Sequence, residues 1–480
     1  MIIAEYGKYD GLGLAELVRN KEVSPGDLVD SAIDAIERLN PQVNCVVQEL
    51  RDRALSQIQA GLPYGPFRGV PFLVKEFGMH FKGMVSSGGS RMAKGFRFEH
   101  DAGMMERCNA AGLVTVGTTT TPEMAFNAAT ESLLYGPTRN PWNLDYSVGG
   151  SSGGAGAAVG CGMVPIAHAN DGAGSIRIPA ACNGVVGMKT SRGRTPGGPD
   201  YGMLLWGLAV EFVETRTVRD SAAMLDALAS EPDDGYFYAA PPPRRGFLTA
   251  AMTPPQSLRI GVVDRLPGGR ATAPENLERL DDTRKLLEDL GHICEPVRIE
   301  YDADAFDNST VPLWATTLGY FMDLFSKRTG RPIGPDNTEA VTLAVYHYGK
   351  TLTAFDLEGA MAKQNAISRQ VARQIRGYDV LLTPGLARDV SKVGELDQNA
   401  PNLDMLGWWQ HIIQNYSTFT ALFNTTGQPA IMLPLWQAKS GLPLAMQFVG
   451  RPGDEETLYS LAGQLEQALP WADRKPPIYA

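Results

Sequence analysis

Five cysteines in 480 residues, at positions 45, 108, 161, 182 and 294, form no C-x-x-C pair and stand at no zinc spacing from a histidine. That scarcity excludes a disulfide scaffold and a zinc module, and it reads as reduced thiols in the cytoplasm. No stretch approaches the ~18 apolar residues of a membrane span. The opening MIIAEYGKYD carries an acid where a secretory signal needs a basic region, so the reading is a soluble protein without a leader. Runs of lysine and arginine are also missing, and the net charge is −10. A nucleic-acid surface, which needs a basic stripe to displace counterions, is therefore not expected. Neither G-x-x-x-x-G-K-[ST] nor a strand-led G-x-G-x-x-G occurs, so nucleotide binding has no support.

What is present is enough apolar sequence, 44% of the chain, to bury a large core. Ser24 and Pro25 are a natural cap and first turn for a helix over 25–39, with Leu28, Ala32, Ile33, Ile36 and Leu39 on its buried face, and a shorter helix over 14–20 precedes it. GVPFLVKEF (69–77), GLVTVGTTTTPEM (112–124), LRIGVVD (258–264) and YDVLLTP (378–384) read as strands, and 274–290 as a helix closed by Gly291. Strand and helix alternation argues for the α/β class. A Pro-rich stretch, 237–257, reads as a surface loop within one domain spanning 1–480. In that reading residues 1–68 are N-terminal helices, 69–236 a glycine-rich core, and 258–480 the remaining sheet and pocket helices.

The segment 148–184, VGGSSGGAGAAVGCGMVPIAHANDGAGSIRIPAACNG, concentrates glycine and serine as ordinary core does not. Glycine loses more backbone freedom on folding than any other residue, so such density implies conformations or close approaches that side chains forbid. Ser151, Ser152 and Ser175 become candidates for chemistry. GSSGG formally matches G-x-S-x-G around Ser152, the nucleophile elbow of a Ser-His-Asp α/β-hydrolase. An elbow needs an apolar strand before it, whereas RNPWNLDYSV reads as loop, and His168, His292, His347 and His411 sit in no telling context.

Lys75, Ser151 and Ser175, with NDGAGSIR around the last, resemble the amidase signature family in order, spacing and neighbours. The resemblance continues through GVPFLVKEF, GTTTTPEM, GPTRNPWN, FNTTGQPAIMLP and GLPLAMQFVG, covering nearly the whole chain. It implies a large mixed, mostly parallel twisted sheet with helices on both faces, and a hydrolase of non-peptide amide C–N bonds that needs neither metal nor organic cofactor. Ser175 would attack the carbonyl, and Ser151, which follows a cis peptide in that family, would relay its proton to Lys75. Lysine titrates near ~10.4, so acting as a base near neutrality requires a depression worth about 4 kcal/mol, which the apolar wall 70–74 can supply. Gly172, Ala173, Gly174 and Ser175 would offer backbone N–H donors to the oxyanion, and Asp171 and Arg177 would hold the turn. Asn170-Asp171 and Ala173-Gly174 depart from the commoner Thr-Asp and Gly-Gly. In this, HANDGAGSIRIPA is similar to members that hydrolyse cyclic or linear amides of aminohexanoate, the 6-aminohexanoate cyclic dimer type among them; members cleaving fatty amides, aryl amides and carbamates share the same core, and these substrates stay open.

Segments 201–212, 312–325 and 402–419 carry Trp206, Trp314, Trp408 and Trp409, candidates for an apolar substrate pocket. The implied partner is a small-molecule amide, with no nucleic acid or membrane; monomer and homodimer both stay open. The competing readings are the catalytic subunit of a glutamine-dependent amidotransferase, a non-catalytic relative, and the elbow at Ser152.

Overall fold

The computed structural model describes residues 2–229 and 238–480. Its β-branched and apolar runs become eleven strands of one sheet: β1 (Val46–Glu49), β2 (Pro71–Lys75), β3 (Val114–Thr119), β4 (Ile166–Asp171), β5 (Val186–Lys189), β6 (Val210–Thr215), β7 (Arg259–Val262), β8 (Ile293–Pro296), β9 (Val380–Pro384), β10 (Ala430–Gln437) and β11 (Pro443–Val449). Their spatial order is β1-β3-β2-β4-β6-β5-β10-β11-β9-β7-β8. The class is α/β, and the sheet is mixed. β2 pairs in parallel with β3 and β4, and β7 with β8 and β9. The six other pairings are antiparallel. Parallel pairing is thus confined to two runs towards the ends of the sheet. Strands β2 to β6, β9 and β11 are buried along their whole length, which requires cover on both faces.

The helices follow their local signals. Ser24 caps Pro25–Val43 in a reciprocal box with Asp27, and Leu28, Ala32, Ile33, Ile36 and Leu39 are buried. The helix runs four residues past Leu39, accommodating Pro41 in its last turn, and stops where Asn44 turns left-handed at φ 54°. Gly11–Arg19 starts earlier than the periodicity indicates because Asp10 caps it. RNPWNLDYSV is a small antiparallel hairpin, Arg139–Asn140 with Asn143–Ser147, and not the loop expected; Asn140 stabilises it by donating to the carbonyls of Ser147 and Cys182.

The Pro-rich stretch, of which residue 237 lies outside the described residues, is not a surface loop throughout. Phe247–Ala251 forms a helical turn whose Phe247 and Ala250 are fully buried, because Phe247 packs against Tyr459 and the Asp226 carboxylate caps the turn. Strands from both sides of the stretch share one sheet.

For the site, the decisive feature is that β2 and β4 are parallel neighbours. Phe72 pairs with Ile166 and Leu73 with Ala167, so Lys75 and the Asn170-Asp171 pair emerge together at the carboxyl ends of the strands. Open α/β sheets place their ligands at such edges.

Candidate active site

Lys75 ends β2 with its side chain fully buried. Its Nζ lies 2.8 Å from Ser151 Oγ, 2.9 Å from Ser152 Oγ and 2.6 Å from Asn170 Oδ1. The Asn170 amide is oriented by its own nitrogen, which donates to the Phe77 carbonyl at 2.8 Å, so its oxygen faces the lysine. Burial lowers the Lys75 pKa to about 7, against the pull of Glu211, Glu214 and Asp171 towards the charged form. Glu214 is itself fully buried, its oxygens accept no hydrogen bond among the described residues, and burial pushes its carboxyl well above the usual range. A neutral Glu214 leaves the lysine with less reason to hold its proton.

Both serines come from the glycine turn before the helix Gly153–Gly160. The Gly150–Ser151 peptide is cis. A Cβ at Gly150 would lie 2.6 Å from the Asn127 carbonyl oxygen, so only glycine fits there. Ser152 Oγ also lies 3.2 Å from the Asn170 carbonyl oxygen and 3.3 Å from the Asn170 nitrogen. Ser152 is fully buried, its hydroxyl neighbours are Lys75 and Asn170, and His168 pairs instead with Glu211 at 2.6 Å. The elbow reading therefore fails on geometry: no apolar strand leads in, and among the described residues no histidine bonds to the hydroxyl.

The second glycine turn follows β4. Asp171 Oδ1 accepts from Gly174 N at 2.7 Å, and its other oxygen from Ile176 N at 3.2 Å and Arg177 N at 3.4 Å. Gly174 has φ +136°, and a Cβ there would meet Thr420 Oγ1 at 2.5 Å. One of the four expected oxyanion donors is therefore corrected, because the Gly174 N–H is already taken by the carboxylate. Among the described residues, the N–H groups of Gly172, Ala173 and Ser175 have no hydrogen-bond partner. Ser175 is 8% exposed while Ser152 is 0%. Its hydroxyl forms no hydrogen bond among the described residues, with Ser151 or any other group; it joins the cluster by accepting at its carbonyl from Ser152 N, at 3.3 Å.

Burial raises the Asp171 carboxyl, but Arg177 outweighs it and holds the pKa at about 2. The guanidinium is bidentate, Nε to Oδ2 at 2.9 Å and Nη2 to Oδ1 at 3.0 Å. Its remaining hydrogens go to the Thr420 carbonyl at 2.8 Å, Gln447 Oε1 at 2.7 Å and Asn424 Oδ1 at 2.6 Å. Asn424 donates back to the Asp171 carboxylate at 2.9 Å. Sequence reasoning named neither Asn424 nor Gln447, although both lie in quoted motifs, FNTTGQPAIMLP and GLPLAMQFVG. Asn170 was visible only as a departure from threonine.

Of the four tryptophans, Trp314 stands over the second glycine turn: a Cβ on Gly172 would lie 2.9 Å from its ring and 3.0 Å from Leu205. Its indole nitrogen is buried without a hydrogen-bond partner among the described residues. Trp408 and Trp409 are 1% exposed, and their N–H groups serve the Phe126 carbonyl and Asp307. They are core behind Trp314, with Trp409 6.2 Å from it. Trp206 is 39% exposed on the 203–208 turn. Of the four candidates, burial and satisfied N–H groups place Trp408 and Trp409 in the core, Trp206 is largely exposed, and Trp314 lies beside the glycine turn after β4.

Removing one partner of a buried pair strands the other charge. Arg177→Ala should cost about 3–5 kcal/mol of unfolding free energy in urea titrations. A loss below about 1 kcal/mol would show that Asp171 does not depend on it.

The amidase family model matches residues 27–459. The 6-aminohexanoate-cyclic-dimer hydrolase of Paenarthrobacter ureafaciens is 35% identical over 483 residues, covering 98% of this chain and 96% of that protein. A solved 6-aminohexanoate cyclic dimer hydrolase complexed with substrate superposes with a TM-score of 0.92 at 33% identity, over 99% of this chain and 100% of the other. A bacterial aryl acylamidase of the amidase signature family gives 0.85 at 25% identity, over 97% of both chains. With the family matched along almost its full length, the chain belongs to the amidase family and is an amidase signature hydrolase of amide C–N bonds.

Proposed function

We propose that Ser175 is the nucleophile, Ser151 the proton relay and Lys75 the base. The observation that carries this reading is the hydrogen count around Nζ. A neutral amine has two N–H groups and one lone pair. The Asn170 side-chain oxygen, Oδ1, can only accept, so it takes one N–H. Ser152 directs its own proton to the main-chain carbonyl of Asn170 and so accepts the second. Ser151 remains, and its hydroxyl must donate to the lone pair. That leaves Ser151 Oγ with lone pairs for the Ser175 proton, a contact that often tightens only once substrate is bound.

As Ser175 Oγ bonds to the carbonyl carbon, its proton moves to Ser151, whose own proton passes to Lys75. The oxyanion is met by the open N–H groups of Gly172, Ala173 and Ser175. Lysine returns its proton through Ser151 to the leaving nitrogen as the C–N bond breaks, giving an acyl-enzyme ester. Water then attacks the ester, losing its proton along the same route, and the acid departs. No step calls for a metal or organic cofactor.

For substrate, we propose small linear or cyclic aliphatic amides held against Trp314 and Leu205. The full-length similarity to an enzyme named for a cyclic dimer of 6-aminohexanoate makes that compound the first to try. The five free cysteines and the −10 charge support a cytoplasmic setting without nucleic acid.

A fluorophosphonate should label Ser175, with labelling abolished in Ser175→Ala and retained in Ser152→Ala; a mass-spectrometric adduct on Ser152 would overturn the assignment. Neutral Lys75 forms as pH rises through about 7, so kcat/KM should climb tenfold per pH unit below that point, reach roughly a hundredth of its plateau at pH 5, and level off above pH 8. A flat profile from about pH 5 to 9 would remove the lysine from its role as base. Trp314→Ala should change the ratio of kcat/KM between short and long aliphatic amides, and an unchanged ratio would remove the ring from the pocket.

A further inference from the structure

One group of side chains outside the serine–lysine cluster is left unexplained by amide hydrolysis. His80, His100 and Asp200 each bring one ligand atom within 4.8 Å of the others. They come from separate parts of the chain, His80 and His100 from the connection after β2 and Asp200 from that between β5 and β6. No metal-binding spacing is legible in the sequence for that reason.

His80 is the informative member. Its side chain is 2% exposed and its ring stacks on Phe98 with centroids 3.8 Å apart. Nδ1 lies 3.2 Å from the Gly78 carbonyl oxygen, which can only accept, so Nδ1 carries the proton. With Nδ1 as the donor, the neutral tautomer offers Nε2 as its lone pair. It stands 3.3 Å from Asp200 Oδ2, without hydrogen-bond geometry, and has no other partner among the described residues. A lone pair and a carboxylate at this separation repel unless a proton or a metal ion lies between them, and a proton there would not point along a hydrogen bond.

His100 completes the arrangement, with Nε2 3.1 Å from both Asp200 oxygens. A tetrahedral ion with ligand bonds of about 2.0–2.1 Å has ligand–ligand edges of roughly 3.3–3.4 Å. The separations between the histidine nitrogens and Asp200, 3.1 and 3.3 Å, are close to such edges.

We propose that His80, His100 and Asp200 bind one divalent transition-metal ion of the Zn²⁺ type, imidazole and carboxylate being the ligands such ions take. The half-exposed His100 gives the ion its way in and leaves the fourth position to water. The ion ties together two connections that both border a cavity of about 140 Å³, whose wall includes Glu76 and Phe77 directly after Lys75. Tyr201, next to Asp200, packs on Phe321 in the same wall. The metal is a clamp on the two connections that wall this cavity and takes no part in the amide chemistry.

The test uses untagged full-length protein stripped with a chelator and dialysed to equilibrium against Zn²⁺. One ion per chain should bind with a micromolar or lower Kd. His100→Ala and Asp200→Asn should each weaken binding at least tenfold, a loss that even outer-shell changes bring, while Ser175→Ala binds as the parent does. Both ligand positions are solvent-accessible, and circular dichroism checks that the variants fold. Co²⁺ should give the visible absorption of a four-coordinate centre, lost in the same variants. Sub-stoichiometric Zn²⁺ at tens of micromolar free metal, or binding that persists in the double variant, overturns the proposal.

Discussion

A primary amine sealed inside a protein must find an acceptor for each hydrogen it keeps, and in this chain that requirement organises the centre. Lys75 cannot reach water, so its three neighbours have to come from the fold. The parallel pairing of β2 and β4 supplies Asn170, and the turn before Gly153–Gly160 supplies two hydroxyls. Burial disfavours the ammonium form. Glu211, Glu214 and Asp171 pull the other way without cancelling it, and Glu214, itself pushed towards its neutral form by burial, pulls the less for it.

A depressed pKa alone does not identify a base. Lys189 is equally buried and is likewise lowered to about 7 by burial. Yet its amine donates to the Thr190 carbonyl and, among the described residues, forms no hydrogen bond to a hydroxyl. What separates the two lysines is whether the lone pair meets a group with a proton to give. Carbonyl oxygens have none, and serine hydroxyls do. Lys189, close to Asp171 and Arg177, belongs electrostatically to the scaffold of the oxyanion turn.

Legibility followed the range of the interactions. The capped helix after Ser24, the strand ending at Lys75 and the strand Val380–Pro384 depend on neighbours a few residues away, and the sequence shows them plainly. The family motifs located Lys75, Ser151 and Ser175. They did not reveal that the Gly174 N–H serves Asp171, because loop donors are sorted by geometry that spacing does not encode. Asn424 and Gln447 reach Arg177 across 247 and 270 residues, so their role appears only when the sheet has closed. The tryptophans show the same limit: composition marks apolar mass, while the choice between pocket wall, core and solvent depends on helix packing and on what each indole N–H finds.

The end of β4 carries two duties on consecutive residues. Side chains alternate across a strand, so Asn170 and Asp171 face opposite sides of the sheet. Asn170 turns to Lys75, and Asp171 turns to Arg177 and the glycine turn. Lys75's side-chain acceptor and the second glycine turn are thereby set by one strand, and their relative position cannot drift independently. A one-residue slip of β4 would exchange the two faces and dismantle both at once. The chain guards against that on both edges, with β2 in parallel register and β6 in six antiparallel pairs that place Glu211 opposite Asn170. Glu211 then reinforces the choice of face by accepting from Asn170 at 3.4 Å and bonding His168, two residues away on the same side, at 2.6 Å. The glycines shape the turns, but the register of this strand decides which turn meets which group.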